Sequence, residues 1–124
     1  KIARYLAWQG VQCRHFNVGE YRRQRCGARL SHHFFDPGNA EAEGQRLEAA
    51  MACLEDTVTW LTGSVDGDSG QMRVAVYDAT NSTMARRQMI RERCASLGIA
   101  LLFIESVCTD QAVILENVRQ VKQD

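Results

Sequence analysis

The sequence predicts an α/β fold built around a parallel sheet. Short apolar runs alternate along the chain with longer stretches of helical periodicity, and the runs at residues 74–77 and 99–108 are apolar at both odd and even positions. Apolar residues on both parities indicate a strand that is buried on both faces, which is typical of central strands in parallel sheets. Alternating helices and strands further predict parallel strands joined by right-handed crossovers.

Length and composition limit the classes of function. The 124 residues form at most one domain, and a hydrophobic content of 45% suffices for an ordinary core. Lys and Arg total 15, as do Asp and Glu, so no net charge favours nucleic acid or an acidic membrane. Neither a membrane span nor a signal peptide is recognisable. The five cysteines form no C-x-x-C pair, which indicates reduced thiols in an intracellular, cytoplasmic protein.

The first part of the chain predicts a helix, a strand and a basic loop. Residues 2–9 carry apolar side chains at helical spacing, and Gly10 follows as a left-handed stop. Residues 11–16 alternate as a strand does, with residues 17–20 as the exit loop. The basic run at residues 21–25 fits a solvated loop, but it also fits a grip on a phosphorylated ligand, because Arg offers a bidentate fork to phosphate oxygens.

Three further helices are predicted. Asn39 caps the first, which ends near Gly63 and has an apolar stripe of Leu47, Met51, Leu54, Val58 and Leu61. The second starts at a cap formed by Ser82 or Thr83 and ends at Gly98. Its residues predicted to face the core are Ala85, Met89, Ile90, Cys94 and Leu97. Asp110 caps the last helix, whose inward residues are Ile114, Leu115, Val118 and Val121.

Asp78 is the first candidate for chemistry. It follows the strand at residues 74–77 directly, at the carboxyl edge where open α/β sheets bind ligands. A carboxylate there either binds Mg²⁺ or accepts a proton from an attacking hydroxyl, and the alternative is a plain helix-capping Asp. Arg86 and Arg87 fall in the first turn of the next helix, where cations oppose the macrodipole. Either an anionic ligand offsets that cost or the side chains extend into water.

Two motifs suggest metal binding only weakly. His32 and His33 are adjacent, but no third ligand stands at a recognisable spacing. Residues 64–70 contain acids like those of a calcium loop, yet the distal Glu of such a loop is absent, so a surface turn is predicted.

Four blocks carry a resemblance over essentially the whole chain: FNVGEYRR at residues 16–23, VYDATNST at 76–83, FIESVC at 103–108 and NVRQVK at 117–122. In this order they resemble the kinase domain of the bifunctional 6-phosphofructo-2-kinase/fructose-2,6-bisphosphatase family. The resemblance implies a P-loop NTPase-like, three-layer parallel sheet. It also implies transfer of the γ-phosphoryl of ATP, with Mg²⁺, to the 2-hydroxyl of fructose 6-phosphate.

The resemblance implies roles for individual residues. Asp78 and Cys108 match active-site positions, and Asp78 would hold Mg²⁺, directly or through water. The positions matching fructose 6-phosphate ligands are Arg22, Arg46, Thr80, Arg86 and Lys122. The positions matching an ATP-binding segment are Asn117, Val118, Arg119, Gln120, Val121 and Lys122. The role of Cys108 stays open, because phosphoryl transfer needs no thiol and a small residue packing at a strand end explains it equally well.

The resemblance is incomplete in one respect. The family's phosphate loop, G-x-x-x-x-G-K-[ST], does not occur among these residues, and the sequence starts within the helix that comes after this loop in the family. We therefore expect a partial kinase domain at residues 1–124, lacking the first strand, poorly stable and inactive by itself. Its parent would be a homodimer fused to a phosphatase domain. The alternatives are a different P-loop small-molecule kinase and a non-catalytic sugar-phosphate-binding or regulatory module.

Overall fold

The computed structural model describes residues 1–26, 39–63 and 72–123. Its elements, in chain order, are α1 (Ile2–Trp8), β1 (Gln12–Asn17), α2 (Val18–Cys26), α3 (Ala40–Thr62), β2 (Arg73–Asp78), α4 (Met84–Ser96) and α5 (Gln111–Gln123). The α/β class is confirmed. The histidine pair and the loop at residues 64–70 lie outside the described residues.

The described strands form a parallel sheet, as the alternation of elements predicts. β1 pairs with β2 in a register that sets Gln12 opposite Arg73 and Asn17 opposite Asp78. The carboxyl ends of the two strands therefore meet at one edge. Helix α2, which comes after β1, and residues 79–83, which come after β2, both start from that edge.

Side-chain oxygens cap three of the helices as predicted. The Asn39 side chain accepts a hydrogen bond from the backbone N–H of Ala42 at 3.1 Å. Thr83, rather than Ser82, caps α4, because its hydroxyl accepts from the N–H of Arg86 at 3.2 Å. Asp110 Oδ1 accepts from the N–H of Ala112 at 2.9 Å, which starts α5.

The two predicted glycine stops are also confirmed. Gly10 and Gly98 have φ values of +85° and +69°, in the left-handed region that side chains with a Cβ avoid. After Gly98, the N–H of Ile99 donates to the carbonyl of Cys94 at 2.9 Å, and Val11 bonds to the carbonyl of Leu6 in the same way at 3.0 Å. Both helices thus end in the six-residue hydrogen-bonded turn that satisfies their last carbonyls.

The core lies between α3 and α4, on one face of the sheet. It contains the buried residues Leu54, Val58, Ile90 and Cys94, against which Tyr77, Met89, Ile99 and Phe103 pack. The Tyr77 hydroxyl donates to the carbonyl of Ala50 at 3.0 Å and so joins β2 to α3. This face therefore fixes where the carboxyl end of β2 stands relative to α3 and α4.

The prediction of a loop after β1 is wrong, because α2 begins directly at Val18. The Asn17 side chain accepts a long hydrogen bond of 3.4 Å from the N–H of Glu20, and Glu20 adds an acid to the first turn. Arginine favours the helix, but the segment has little apolar periodicity, and this is why the pattern did not indicate one. The helix is held instead by α3, through a hydrogen bond of 2.6 Å from the Tyr21 hydroxyl to Asp56.

The prediction of a strand at residues 99–108 is also wrong for the described structure. The segment has no strand assignment, and the side chains of Leu102, Ile104 and Val107 are 81%, 66% and 74% exposed. A strand requires a neighbouring backbone to pair with, and none of the described residues lies in that position. Only its start joins the core, through Ile99 and Phe103.

Several residues predicted to face inward are exposed. No residue of β2 is fully buried in the described structure, since Arg73 to Tyr77 are half-buried and Asp78 is exposed. Leu47 is 41% exposed, since the side of α3 against the strands is made of small residues such as Ala49, Ala50 and Cys53. The remaining exposed residues are Ala85, Leu97, Leu115 and Val118. The side chain of Val121 lies outside the described structure.

Candidate functional site

An open cleft of about 860 Å³ lies at the carboxyl edge of the sheet, within the range of small-molecule sites. It brings together five residues that the resemblance assigns to catalysis and sugar-phosphate binding, namely Arg22, Arg46, Asp78, Thr80 and Arg86. The rest of the lining is Asn17, Val18, Gly19, Arg23, Glu43, Ala79, Asn81, Ser82 and Thr83.

Three helices direct arginines toward this cleft. Arg22 comes from α2, Arg46 from the second turn of α3, and Arg86 from the first turn of α4. All three residues are half-buried, so their guanidinium groups are partly shielded from water. Partial shielding strengthens the attraction of a cation for an anionic ligand compared with a fully solvated surface.

The charge of the cleft favours an anion. With Arg23 included, four arginines line it against two carboxylates, Glu43 and Asp78. A phosphate group has several acceptor oxygens, and guanidinium groups arriving from different directions satisfy them with charge-assisted hydrogen bonds. The basic run at residues 21–25 therefore contributes Arg22 and Arg23 to the positively charged lining of the cleft. This placement favours phosphate binding over a solvated loop.

Asp78 stands at the tip of β2, with its side chain 56% exposed. One carboxylate oxygen, Oδ2, accepts a hydrogen bond of 2.9 Å from Nε2 of His15 on the neighbouring strand. Asp78 does not cap α4, since that role belongs to Thr83. The alternative of a plain capping Asp is thereby excluded.

The loop between β2 and α4 is held in an unusual conformation. Asn81 has a φ of +45°, which is uncommon for a residue with a side chain, and Asn tolerates it better than most. Its carbonyl accepts a hydrogen bond of 2.9 Å from Nη1 of Arg87. Of the two neighbouring arginines, Arg87 therefore binds the loop, whereas Arg86 lines the cleft. The loop in turn sets the position of Thr80.

Two positions in the first turn of α2 have close neighbours. The hydrogen bond between Tyr21 and Asp56, assisted by burial, raises the pKa of Tyr21 to about 12. At Gly19, an added Cβ would stand 3.0 Å from Oδ1 of Asn17 and 3.2 Å from Nη1 of Arg23. Both atoms belong to flexible side chains, so a larger residue at position 19 would require the guanidinium of Arg23, which lines the cleft, to shift by a few tenths of an ångström.

Of the remaining predicted site residues, Cys108 and residues 117–120 do not line this cleft. Cys108 is exposed, and its thiol makes only a weak contact of 3.8 Å with the carbonyl of Asp110. Residues 117–120 lie on the exposed surface of α5. The side chains of Val121 and Lys122 lie outside the described structure. The described residues thus bring together four of the five predicted sugar-phosphate residues with Asp78, whereas the described part of the predicted ATP-binding segment lies elsewhere.

Sequence reasoning missed part of the site. Arg23 lies in the basic run, where nothing in the sequence distinguishes it, and Glu43 has no signal beyond its place in the first turn of α3. The sequence predicts a loop at Asn17, although its position at the end of β1 is a signal for a cleft residue. His15 could not be found, because its contact with Asp78 depends on the register between strands distant in sequence.

The donors near Asp78 suit Mg²⁺ better than a tightly bound transition metal. Among the described residues, no group of three or more His, Cys, Asp or Glu side chains could hold a metal ion. Mg²⁺ commonly uses one or two carboxylates and completes its shell with water and substrate phosphates. A single carboxylate with a hydroxyl nearby, here Asp78 and Thr80, fits that mode.

No helix in the described part of the chain is both long and apolar enough to cross a membrane.

Comparisons with known proteins identify the family of this chain. A sequence profile of the family described as 6-phosphofructo-2-kinase matches residues 1–124. Proteins named 6-phosphofructo-2-kinase/fructose-2,6-bisphosphatase are similar to 98% of this chain, at 43% identity in Gallus gallus and 42% in Caenorhabditis elegans. The form numbered 3 in Homo sapiens is 43% identical over 122 residues. The chain spans about a quarter of the length of these relatives, from 22% to 26%. The chain therefore belongs to the 6-phosphofructo-2-kinase family.

Proposed function

We propose that the protein containing this chain transfers the γ-phosphoryl of ATP to the 2-hydroxyl of fructose 6-phosphate and forms fructose 2,6-bisphosphate. The observation that carries the proposal is the cleft itself, where three arginines from separate helices surround the end of β2 beside Asp78 and Thr80. The geometry suits a sugar that carries one phosphate and presents a hydroxyl to a carboxylate.

The arginines act on the phosphate already present on the sugar. Arg22, Arg46 and Arg86 clamp the 6-phosphate, and Arg23 adds positive charge at the same wall. Because they come from three elements, they fix the orientation of the phosphate as well as bind it. Orientation matters in phosphoryl transfer, since the transition state is loose and catalysis rests on positioning and charge.

Asp78 and Thr80 act on the reacting end of the sugar. Asp78 orients the 2-hydroxyl or accepts its proton, and Thr80 hydrogen-bonds the sugar. When Mg²⁺ and ATP are bound, the metal neutralises phosphate charge, and Asp78 is the residue that would hold it. The remaining assignments of the resemblance belong to this proposal too: Cys108 at the active site, Lys122 on the sugar phosphate, and residues 117–122 on ATP.

The proposal also covers the domain to which the chain belongs, and the location and assembly of the whole protein. We infer that residues 1–124 are part of a kinase domain with a P-loop NTPase-like, three-layer sheet. That domain belongs to a cytoplasmic protein. The names of the relatives support fusion to a fructose-2,6-bisphosphatase, and a homodimeric assembly is part of the same inference.

Binding of fructose 6-phosphate by the full-length protein, measured by titration calorimetry, tests the assignment of the cleft. We expect Arg86→Ala to weaken binding roughly tenfold or more, because a hydrogen bond to a charged group contributes about 1.5–3 kcal/mol. Fructose without its phosphate should bind too weakly to detect. Arg91→Ala, on the exposed side of α4 and outside the cleft, is the matched control and should bind as the wild type does. Equal binding by Arg86→Ala and wild type would refute the assignment.

A non-catalytic sugar-phosphate-binding module is the second candidate. The same cleft supports it, since the arginines bind phosphate whether or not transfer occurs. Tight binding of fructose 6-phosphate without phosphoryl transfer from ATP would favour this module over the kinase.

A further inference from the structure

A histidine outside the cleft lining contacts the carboxylate that the proposed reaction uses. Nε2 of His15 lies 2.9 Å from Oδ2 of Asp78, within hydrogen-bond distance. The parallel register sets His15 opposite Val76 and Asn17 opposite Asp78, so the contact is a diagonal one between neighbouring strands. Side chains alternate along a strand, and both residues therefore project from the sheet face opposite to Phe16 and Tyr77.

The contact with His15 occupies one of the two carboxylate oxygens of Asp78. Asp78 lines the cleft, whereas His15 does not. Among the described residues, the His15 imidazole is the group that hydrogen-bonds the Asp78 side chain, and it uses Oδ2. Oδ1 therefore remains available to a sugar hydroxyl or to a hydrated cation.

We propose that His15 is a positioning residue for Asp78, an inference that rests on the proposed function. The imidazole N–H donates to Oδ2 and restricts rotation of the carboxylate about its side-chain bonds. A carboxylate that is 56% exposed otherwise samples several rotamers, only some of which direct an oxygen toward the substrate. His15 thus raises the fraction of enzyme molecules in which Asp78 is ready to act, without touching the substrate.

A positioning role and a structural role for His15 predict different effects on stability and on catalysis. A half-exposed pair between His and Asp contributes little to stability, because solvent screens it and two side chains must be ordered. Loss of the contact should therefore leave the thermal midpoint almost unchanged. It should also leave fructose 6-phosphate binding intact, since His15 does not line the cleft in which the phosphate is proposed to bind.

The test compares steady-state kinetics of the full-length protein with three variants. His15→Val removes the donor but keeps a residue that strands favour. We expect its kcat to fall roughly tenfold, the lower end of what the loss of such an outer partner costs, with KM for fructose 6-phosphate within about twofold. In His15→Gln the side-chain amide replaces the imidazole donor, and kcat should recover most of the loss. Cys13→Val changes the same face of β1 two residues earlier and should behave as wild type.

Other outcomes would overturn the positioning role. Unchanged kcat in His15→Val would do so, as would a His15→Gln variant that is as slow as His15→Val. A fall in thermal midpoint that parallels the fall in activity would indicate a structural role instead. A wild-type protein that phosphorylates no sugar phosphate refutes the proposed function first, and the role of His15 with it. A working kinase that is indifferent to His15 refutes the positioning role alone.

Discussion

At the residue scale, hydrogen bonds within the protein hold several side chains in and around the site. Asp78 is held by His15, Arg87 by the carbonyl of Asn81, and Tyr21 by Asp56. Arg86 instead extends from a helix whose first turn is capped by Thr83, at the end of the helix dipole that attracts anions. These hydrogen bonds fix the geometry of the site, while Arg86 lines the cleft in which we propose that a ligand phosphate binds.

The pKa of Tyr21 makes a testable pH dependence. The Asp56 hydrogen bond raises that pKa from an ordinary 10.0 to about 12, so the folded state retains a proton that the unfolded state loses in this window. The stabilisation from this hydrogen bond is complete below about pH 10 and disappears as pH rises toward about 12. We expect the free energy of unfolding, measured with urea, to fall less steeply between pH 10 and about 12 in Tyr21→Phe and in Asp56→Asn than in the wild type. An equally steep loss in both variants would show that the hydrogen bond is not its source.

At the element scale, α3 organises the described structure. It contacts α2 through Asp56, β2 through the carbonyl of Ala50, and α4 through Glu55, which accepts two hydrogen bonds from Arg93 at 2.8 and 2.9 Å. The same hydrogen bonds hold the pKa of Glu55 below its usual range. Since α2, α3 and α4 each supply a cleft arginine, the packing against α3 determines how the arginines converge.

Tyr21→Phe should also loosen α2 and so affect binding. The variant keeps the aromatic ring but removes the tie to Asp56, which leaves Arg22 less ordered. We expect KM for fructose 6-phosphate to rise about threefold to tenfold, with kcat affected less, because the lost hydrogen bond orders Arg22 without contacting the ligand, so that only part of its contribution of about 1.5–3 kcal/mol is lost from binding. Steady-state kinetics of the full-length variant measure it. A fall in kcat at unchanged KM would argue against this role for α2.

The packing between α3 and α4 can be tested at Leu54. Its side chain is 1% exposed and belongs to the buried cluster with Val58, Ile90 and Cys94. Leu54→Ala should lower the free energy of unfolding of the full-length protein by about 2–5 kcal/mol, through lost burial and the cavity left behind. Glu48→Ala, at an exposed position of the same helix, is the control and should be close to neutral. Similar effects at both positions would contradict the described core.

Features that depend on a few neighbouring residues can be predicted from the sequence, whereas features that depend on distant contacts cannot. Helix caps at Asn39 and Asp110 and the stops at Gly10 and Gly98 were predictable, because they depend on a few neighbouring residues. The meeting of Asp78 with distant arginines was also predictable, since parallel strands present their carboxyl ends at one edge. Helix α2 was not, because its stability comes from α3 and not from its own apolar pattern. Residues 99–108 were misassigned because apolar content indicates burial, whereas a strand also needs a partner.

At the scale of the whole molecule, the described residues form a small core beside a large apolar surface. The sheet has two strands, and exposed apolar side chains include Leu101, Leu102, Ile104 and Val107. Helix α5 is apolar along one side, yet Leu115 is 64% exposed. A sheet of two strands covered mainly on one face is marginally stable.

We therefore expect residues 1–124, expressed alone, to unfold with a weak and broad thermal transition. The apolar surface at residues 101–107 should also bind a hydrophobic dye in the folded state. Circular dichroism and dye fluorescence measure the two properties. A sharp cooperative transition, with no dye binding, would contradict this prediction.

The most direct test of the account is the reaction itself. The full-length protein is incubated with ATP, Mg²⁺ and fructose 6-phosphate, and the product is identified by phosphorus NMR. We expect a second phosphate on carbon 2 of the sugar, at a rate that falls by about a hundredfold or more in Asp78→Ala, because a group that positions or deprotonates the nucleophile is lost. Phosphorylation at another carbon, or a rate indifferent to Asp78, would contradict the central claim.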